Sequence, residues 1–103
     1  MFGRTFGRVP EFMAELYVPR ADETGAERLA GLVRAAAEEL TREGTPVRFL
    51  RSIFVPDDET CFVLCEAPGV DAVYLTEKRA SVRFARISEA VTPWAAEEAR
   101  PWS

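Results

Sequence analysis

Two apolar segments flank an acidic turn in the middle of the chain, and their side chains alternate as those of β-strands do. Residues 46–68 read PVRFLRSIFVPDDETCFVLCEAP. Residues two apart on a strand share a face, so the alternation predicts one strand over residues 47–55 and another over residues 60–67. The acidic turn between them makes the pair a hairpin.

Two charged residues stand inside these predicted strands. Arg51 falls within the first strand and Glu66 near the end of the second. The apolar residues assigned to the same strand faces are Val47, Phe49, Ile53, Val55, Phe62 and Leu64. A charge on an apolar face needs a partner, water or a ligand, because burying it unpaired costs several kcal/mol or more. Arg51 and Glu66 are therefore candidates for function.

A strand and a long helix are predicted before the hairpin. Residues 12–19 alternate as a strand that Pro19 ends. Residues 24–27, TGAE, fit a capping box in which Thr24 is the helix N-cap. Gly44 is placed to end this helix with a left-handed residue. The apolar residues at helical spacing between these limits are Ala26, Leu29, Leu32, Val33, Ala36 and Leu40.

A shorter helix and a last strand are predicted after the hairpin. Residues 70–79 fit a helix with Val73, Leu75 and Ala80 facing inward, and residues 82–87 fit a strand. The resulting order is β-α-β-β-α-β. This order predicts a ferredoxin-like α+β fold, in which two helices cover one face of a four-stranded antiparallel sheet of order 4-1-3-2.

The other face of this sheet has no predicted cover. It carries apolar residues of the first and third strands, namely Met13, Tyr17, Phe62 and Leu64. Exposed apolar patches of several hundred Å² usually mark a contact surface. We therefore expect a homodimer, a dimeric α/β-barrel-type assembly in which two sheets face each other.

Composition and charge limit the function classes. The chain has 103 residues, of which 48% are hydrophobic, enough for the core of one domain. A net charge of −4 argues against a nucleic-acid partner. No segment approaches the ~20 apolar residues of a membrane span or resembles a signal peptide, so we expect a cytoplasmic protein with no membrane partner. The expected organisation is an N-terminal arm (1–10), the domain (11–91) and a Trp- and Pro-containing tail (92–103).

The cysteines are expected to be structural. Cys61 and Cys65 lie four positions apart in a predicted strand, which separates their Cα atoms by about 13 Å. Bridged Cα atoms lie within about 7 Å of each other. We therefore expect two small apolar core residues and no disulfide between them.

Three pieces of the chain carry a resemblance to a known family, namely AELYVPRA, the whole of residues 46–68, and RISEAV near the end. Through these pieces, residues 11–91 resemble a family of small actinobacterial nickel-binding proteins and their relatives of unknown function. The resemblance implies a ferredoxin-like dimer and metal binding in a member of the family. Relatives often carry histidine at the position of Arg51, whereas this chain contains no histidine. Nickel favours imidazole nitrogen, so we expect no metal or other cofactor and keep nickel binding as an alternative.

The predicted strand order places Glu15, Arg51 and Glu66 on adjacent strands, where their charges could converge. The candidate acid or base is Glu15, Glu66 or Tyr17, and Arg51 suits an oxyanion or a substrate carboxylate. The candidate ligand contacts are Met13, Phe49, Phe62 and Leu64. This set predicts a dimeric small-molecule-binding protein, suited to cofactor-independent cyclisation or isomerisation in a biosynthetic pathway.

Two alternatives and one geometric question stay open. Glu15, Arg51 and Glu66 could instead form an ion-pair network that fixes the register of a structural or interaction dimer. The other alternative is a divalent-metal-binding protein. The sheet face that Arg51 occupies depends on register, because a shift would put it with Arg48, Leu50, Ser52 and Phe54.

Overall fold

The structure is a computed structural model that describes residues 9–93. Most of the predicted arm and tail, including Trp94 and Trp102, therefore lies outside the described residues. The elements in chain order are β1 (Glu11–Tyr17), α1 (Glu23–Arg42), β2 (Arg48–Val55), a 3-10 turn (Pro56–Asp58), β3 (Thr60–Glu66), α2 (Val70–Ala80) and β4 (Arg86–Ala90).

The four strands form one antiparallel sheet in the order β2-β3-β1-β4. This confirms the predicted order 4-1-3-2, with β1 and β3 in the centre and β2 and β4 at the edges. With α1 and α2 in the places the pattern predicts, the chain has the ferredoxin-like α+β fold. No helix within residues 9–93 has the length and apolar character needed to cross a membrane.

The core lies between one face of the sheet and the two helices. The central strands contribute alternate residues that are all buried: Phe12, Ala14, Leu16, Cys61, Val63 and Cys65. The helices contribute mostly small residues, including Ala26, Val33, Ala36, Ala37, Leu40, Ala72, Val73 and Ala80. Since these alternate residues point toward the helices, the intervening residues of each strand point the other way. We call that second surface of the sheet the open face.

Helix α1 begins earlier than the capping box predicts. Its N-cap is Asp22, whose Oδ1 accepts a hydrogen bond from the backbone N–H of Gly25 at 3.0 Å. Thr24 therefore lies inside the first turn, and the prediction that it caps the helix was wrong. Glycine suits position 25, because a Cβ atom there would collide with the Asp22 carboxylate. The end of the helix is as predicted, since α1 stops at Arg42 and Gly44 has a φ of 106°.

The predicted span of the second helix, α2, is confirmed to within one residue, but its buried face differs from the predicted one. Val73 and Ala80 are buried, whereas Leu75 is 45% exposed. The buried residue of that turn is Thr76, whose hydroxyl donates to the carbonyl of Ala72 at 2.8 Å. Threonine can be buried there because its only polar group is satisfied within the helix.

Strand β4 starts four residues later than predicted, at Arg86. The segment before it is held to the end of α2, since the backbone N–H of Phe84 donates to Oε2 of Glu77 at 2.7 Å. Pairing with β1 begins only after this contact, where the N–H of Ala85 donates to the carbonyl of Glu15 at 2.7 Å. A local side-chain contact has therefore replaced the first part of the predicted strand.

Candidate functional site

Cross-strand rows of side chains run over the open face. Written in the order β4, β1, β3, β2, they are Ala90–Glu11–Glu66–Arg48, Ser88–Met13–Leu64–Arg51 and Arg86–Glu15–Phe62–Ile53, followed by Tyr17–Thr60–Val55, which has no β4 member. Successive rows are about 6.6 Å apart, and neighbouring strands about 4.8 Å apart. These rows define which of the predicted site residues are neighbours.

The centre of the open face is apolar. Met13, Phe62 and Leu64 are half-buried on the central strands, while Ile53 and Tyr17 are 47% and 64% exposed. Large apolar side chains gathered on an uncovered surface are the feature that distinguishes a contact surface from ordinary scattered exposure. The prediction that Met13, Tyr17, Phe62 and Leu64 share one face is confirmed.

Charges on the open face are arranged by strand. The central strands carry the carboxylates of Glu11, Glu15 and Glu66, and the edge strands carry the guanidinium groups of Arg48, Arg51 and Arg86. Two pairs join an edge to the centre: Arg48 Nη1 lies 3.3 Å from Oε1 of Glu66, and Arg86 Nε lies 4.0 Å from Oε2 of Glu15. The open face thus carries three charges of each sign.

Glu15 and Glu66 are more enclosed than their arginine partners. Their side chains are 24% and 25% exposed, whereas those of Arg86 and Arg48 are 71% and 74% exposed. A carboxylate on a central strand is flanked by side chains of both neighbouring strands, whereas an arginine on an edge strand extends into solvent. Glu15 is the more weakly paired of the two acids, because its carboxylate lies 4.0 Å from Arg86, whereas that of Glu66 lies 3.3 Å from Arg48.

Arg51 lies on the open face, opposite Leu64. It is exposed and forms no salt bridge with any residue of 9–93. The row spacing puts its Cα about 12 Å from that of Glu15, one row along and two strands across. Within one molecule, the predicted convergence of Glu15, Arg51 and Glu66 is therefore replaced by separate Glu15–Arg86 and Glu66–Arg48 pairs.

Phe49 lies on the opposite face from Arg51, because the register shifts between these two residues. Phe49 pairs with Cys65 and packs partly buried against the core, and Leu50 is the extra residue of a β-bulge. The expectation that Phe49 shares a face with Ile53 was wrong, since strict alternation holds only where no residue is inserted. Phe49 is thus separated from the other predicted ligand contacts by the sheet itself.

Tyr17 ends the open face in the last row. It lies opposite Thr60 and, on the same strand face, next to Glu15. The acidic turn that follows β2 is tied to the chain after β1, since Nη1 of Arg20 lies 2.6 Å from Oδ1 of Asp57. This contact links the segments that follow β1 and β2, and the side chain of Tyr17 beside them is exposed.

A groove that the sequence pattern did not reveal lies between α1 and the outer edge of β2. We call it the α1–β2 groove; its volume is about 1070 Å³. Arg34, Glu38 and Arg42, which recur every four residues on α1, line one side, and Glu66 reaches its end from β3. These charged residues are not part of the apolar stripe of α1, and only the tertiary structure shows that they face a cleft.

The cysteines are confirmed as free and buried. Burial raises the pKa of the Cys65 thiol to about 11 and raises the pKa of Cys61 as well. A thiol that stays protonated at neutral pH is a poor nucleophile and a poor metal ligand. Within residues 9–93, no three His, Cys, Asp or Glu side chains come together as metal ligands would.

Comparison with known proteins supports the fold. No family model matches the sequence, and no curated protein matches it. The crystal structure of SCO4226 from Streptomyces coelicolor A3(2) is similar, with a TM-score of 0.65 and 21% identity, over 84% of this chain and 99% of that one. At this level of identity the likeness establishes a shared fold.

Proposed function

We propose that two copies of this chain pack their open faces together and that the enclosed space binds a small molecule held by Glu15. The observation that carries the proposal is Glu15 itself, a partly enclosed carboxylate in the apolar centre of an uncovered sheet. Apolar walls with a few directed polar groups are the usual composition of a small-molecule site.

The apolar side chains favour pairing of the open faces. Removing apolar surface from water contributes roughly 25 cal/mol per Å², and Phe62, Leu64, Met13 and Ile53 form one continuous area across three strands. Each copy of the chain has a net charge of −4, which opposes association at long range. The open face avoids this repulsion, because its three carboxylates are matched by three guanidinium groups.

Pairing would leave Glu15 in need of a hydrogen-bond donor. Its contact with Arg86 is 4.0 Å, too long for a hydrogen bond, so in a single copy the carboxylate depends on solvent for hydrogen-bond donors. Closing the face removes that water, and an unsatisfied buried carboxylate is costly. A ligand with a hydroxyl, amide or amino group and an apolar body would satisfy Glu15 and fill the space beside Phe62.

A cofactor-independent cyclisation or isomerisation is the reaction class that this site suits. Glu15 and Tyr17 are neighbours on one strand face. The carboxylate of Glu15 would remove a proton from the substrate, and the hydroxyl of Tyr17 beside it would serve as a second proton donor or acceptor. Arg51 lies one row along, with its Cα about 12 Å from that of Glu15, so it would hold developing negative charge only at the far end of a substrate that spans both rows. The nickel alternative has no comparable support, since the described residues bring no ligand set together.

The proposal is tested by native mass spectrometry and sedimentation of the purified protein. We expect a dimer that carries a co-purifying organic compound, and we expect Glu15→Gln to stay dimeric but lose that compound. Arg28→Gln, which lies on the outside of α1, is the control and should retain it. A monomeric wild-type protein would contradict the proposal, and stoichiometric nickel uptake would favour the metal alternative.

A further inference from the structure

The α1–β2 groove is separate from the centre of the open face. It lies at the end of the sheet where β2 begins, and the central apolar residues Met13 and Phe62 do not line it. Its volume of about 1070 Å³ is close to the upper limit of ordinary small-molecule sites, which run from about 300 to 1,000 Å³. The groove is thus large enough for a ligand of its own.

One guanidinium group in the groove forms no salt bridge within residues 9–93. Arg34 Nε lies 3.2 Å from Oε2 of Glu38, and Arg48 Nη1 lies 3.3 Å from Oε1 of Glu66. Arg42, the third arginine of the lining, forms no salt bridge with any residue of 9–93. The groove therefore has an excess of one positive charge in a protein whose net charge is −4.

The other polar groups near Arg42 are already occupied. The hydroxyl of Thr41 accepts from the N–H of Val47 at 3.0 Å and donates to its carbonyl at 2.9 Å. The carbonyls of Glu39, Leu40 and Thr41 accept from the N–H groups of Glu43, Gly44 and Thr45. Arg42 is the group left to meet a ligand, and it selects an anion.

The remaining wall of the groove is apolar, and a bulge interrupts the strand edge that contributes to it. It includes Val47, Phe49 and Leu50, which precede and form the bulge of β2. An added peptide strand needs a regular row of backbone donors and acceptors, and a bulge interrupts that row. The groove is therefore better matched to a compact apolar body than to an extended peptide.

We propose that the α1–β2 groove binds an amphipathic organic acid, with its carboxylate or sulfonate on Arg42 and its apolar body against Val47, Phe49 and Leu50. This inference does not depend on what the open face binds. The two sites meet at Glu66 and Arg48, which both line the groove and which pair with each other at one end of the open face.

The test uses 8-anilinonaphthalene-1-sulfonate, whose fluorescence rises in an apolar site, and dodecanoate as a competitor. We expect saturable binding of the dye that dodecanoate displaces and dodecyltrimethylammonium does not. Arg42→Gln should raise the dissociation constant about tenfold, the size expected for one charge-assisted hydrogen bond. Arg28→Gln removes the same charge from the same helix outside the groove and should leave binding unchanged.

Two further variants separate this site from the open face. Leu50→Ser should weaken dye binding because it removes part of the apolar wall, with circular dichroism used to confirm that the fold is kept. Phe62→Asp alters the open face and should leave the competition by dodecanoate intact. Equal weakening by Arg42→Gln and Arg28→Gln, loss of binding in Phe62→Asp alone, or no saturable binding by the wild-type protein would each overturn the proposal.

Discussion

Phe62 on β3 lies directly opposite Glu15 on β1, so an aromatic ring and a carboxylate are neighbours in the centre of the open face. Residues in directly opposed positions have Cβ atoms about 5 Å apart, close enough for any molecule that contacts one to contact the other. In the proposed dimer, the pair therefore links the apolar surface of the interface with the carboxylate that would hold a ligand. Changes at the two positions should have different consequences.

Phe62→Asp is predicted to abolish the proposed self-association while the monomer stays folded. The substitution removes the largest apolar side chain of the central rows and places a second carboxylate beside Glu15, so the like charges and the lost apolar area both oppose pairing. Sedimentation velocity measures the loss of the dimer, and circular dichroism checks the fold.

The matched control for this variant is Tyr74→Asp. Tyr74 is also a large exposed aromatic residue, at 54% exposure, but it lies on α2, on the other side of the sheet from the open face. We expect the Tyr74 variant to associate as the wild-type protein does. Dissociation of the dimer in the Tyr74 variant but not in the Phe62 variant would place the interface on the helices instead.

The sequence pattern was sufficient for the fold because the core residues alternate without interruption on β1 and β3. Seven residues of β1 pair in continuous register with β3, and every second one is buried, as the pattern predicts. Local hydrogen bonds decided the details that it missed. The contact between Phe84 and Glu77 delays the start of β4. An alternating pattern does not predict a hydrogen bond between two residues seven positions apart.

The candidate site was harder to predict, because it depends on one inserted residue. With Leu50 in the bulge, Arg51 faces the open side and Phe49 faces the core. Alternation alone cannot distinguish this arrangement from a regular strand that places both on one face. The ion pairs of Glu15 and Glu66 with edge arginines also depend on cross-strand register, which the sequence does not contain explicitly.

Asp22→Ala is predicted to destabilise the protein by about 1 kcal/mol, the typical cost of removing an N-cap side chain. The carboxylate of Asp22 accepts from the N–H of Gly25, and alanine would leave that donor without its partner. Thr24→Ala is the comparison, since a capping box would make Thr24 the important residue. Urea denaturation should show a larger loss of unfolding free energy for Asp22→Ala than for Thr24→Ala. A larger loss for Thr24→Ala would support the capping box instead.

Arg79→Met is predicted to lower the melting temperature and to reduce the dependence of stability on acid. Arg79 of α2 bonds Glu43 through both Nη atoms, at 2.9 and 2.8 Å, and Glu39 at 3.1 Å. These bonds hold the pKa of Glu43 below its usual value. The resulting stabilisation is present above the ordinary glutamate pKa and is lost as pH falls through the lowered one.

The comparison for Arg79→Met is Arg34→Met, which breaks a single exposed pair between residues of one helix. Such pairs contribute little to stability, so we expect a smaller change in melting temperature and the wild-type response to acid. Thermal melts measure both effects when they are run at pH values from neutrality down to about 3, which is below the ordinary pKa of a glutamate. Identical curves for the two variants would show that the contact between helices adds nothing.

Cys65 is predicted to make the protein lose stability in alkaline solution. Its pKa is raised from 9.0 to about 11 by burial, so the folded protein holds the thiol proton more tightly than the unfolded chain does. The associated stabilisation is complete below the unfolded pKa and is lost as pH rises from 9.0 through about 11. A shift of two pKa units corresponds to roughly 3 kcal/mol. Urea denaturation across this range should therefore show a steeper decline for the wild-type protein than for Cys65→Ala. Cys61→Ala should decline nearly as steeply as the wild type, and parallel curves for the wild type and Cys65→Ala would contradict the prediction.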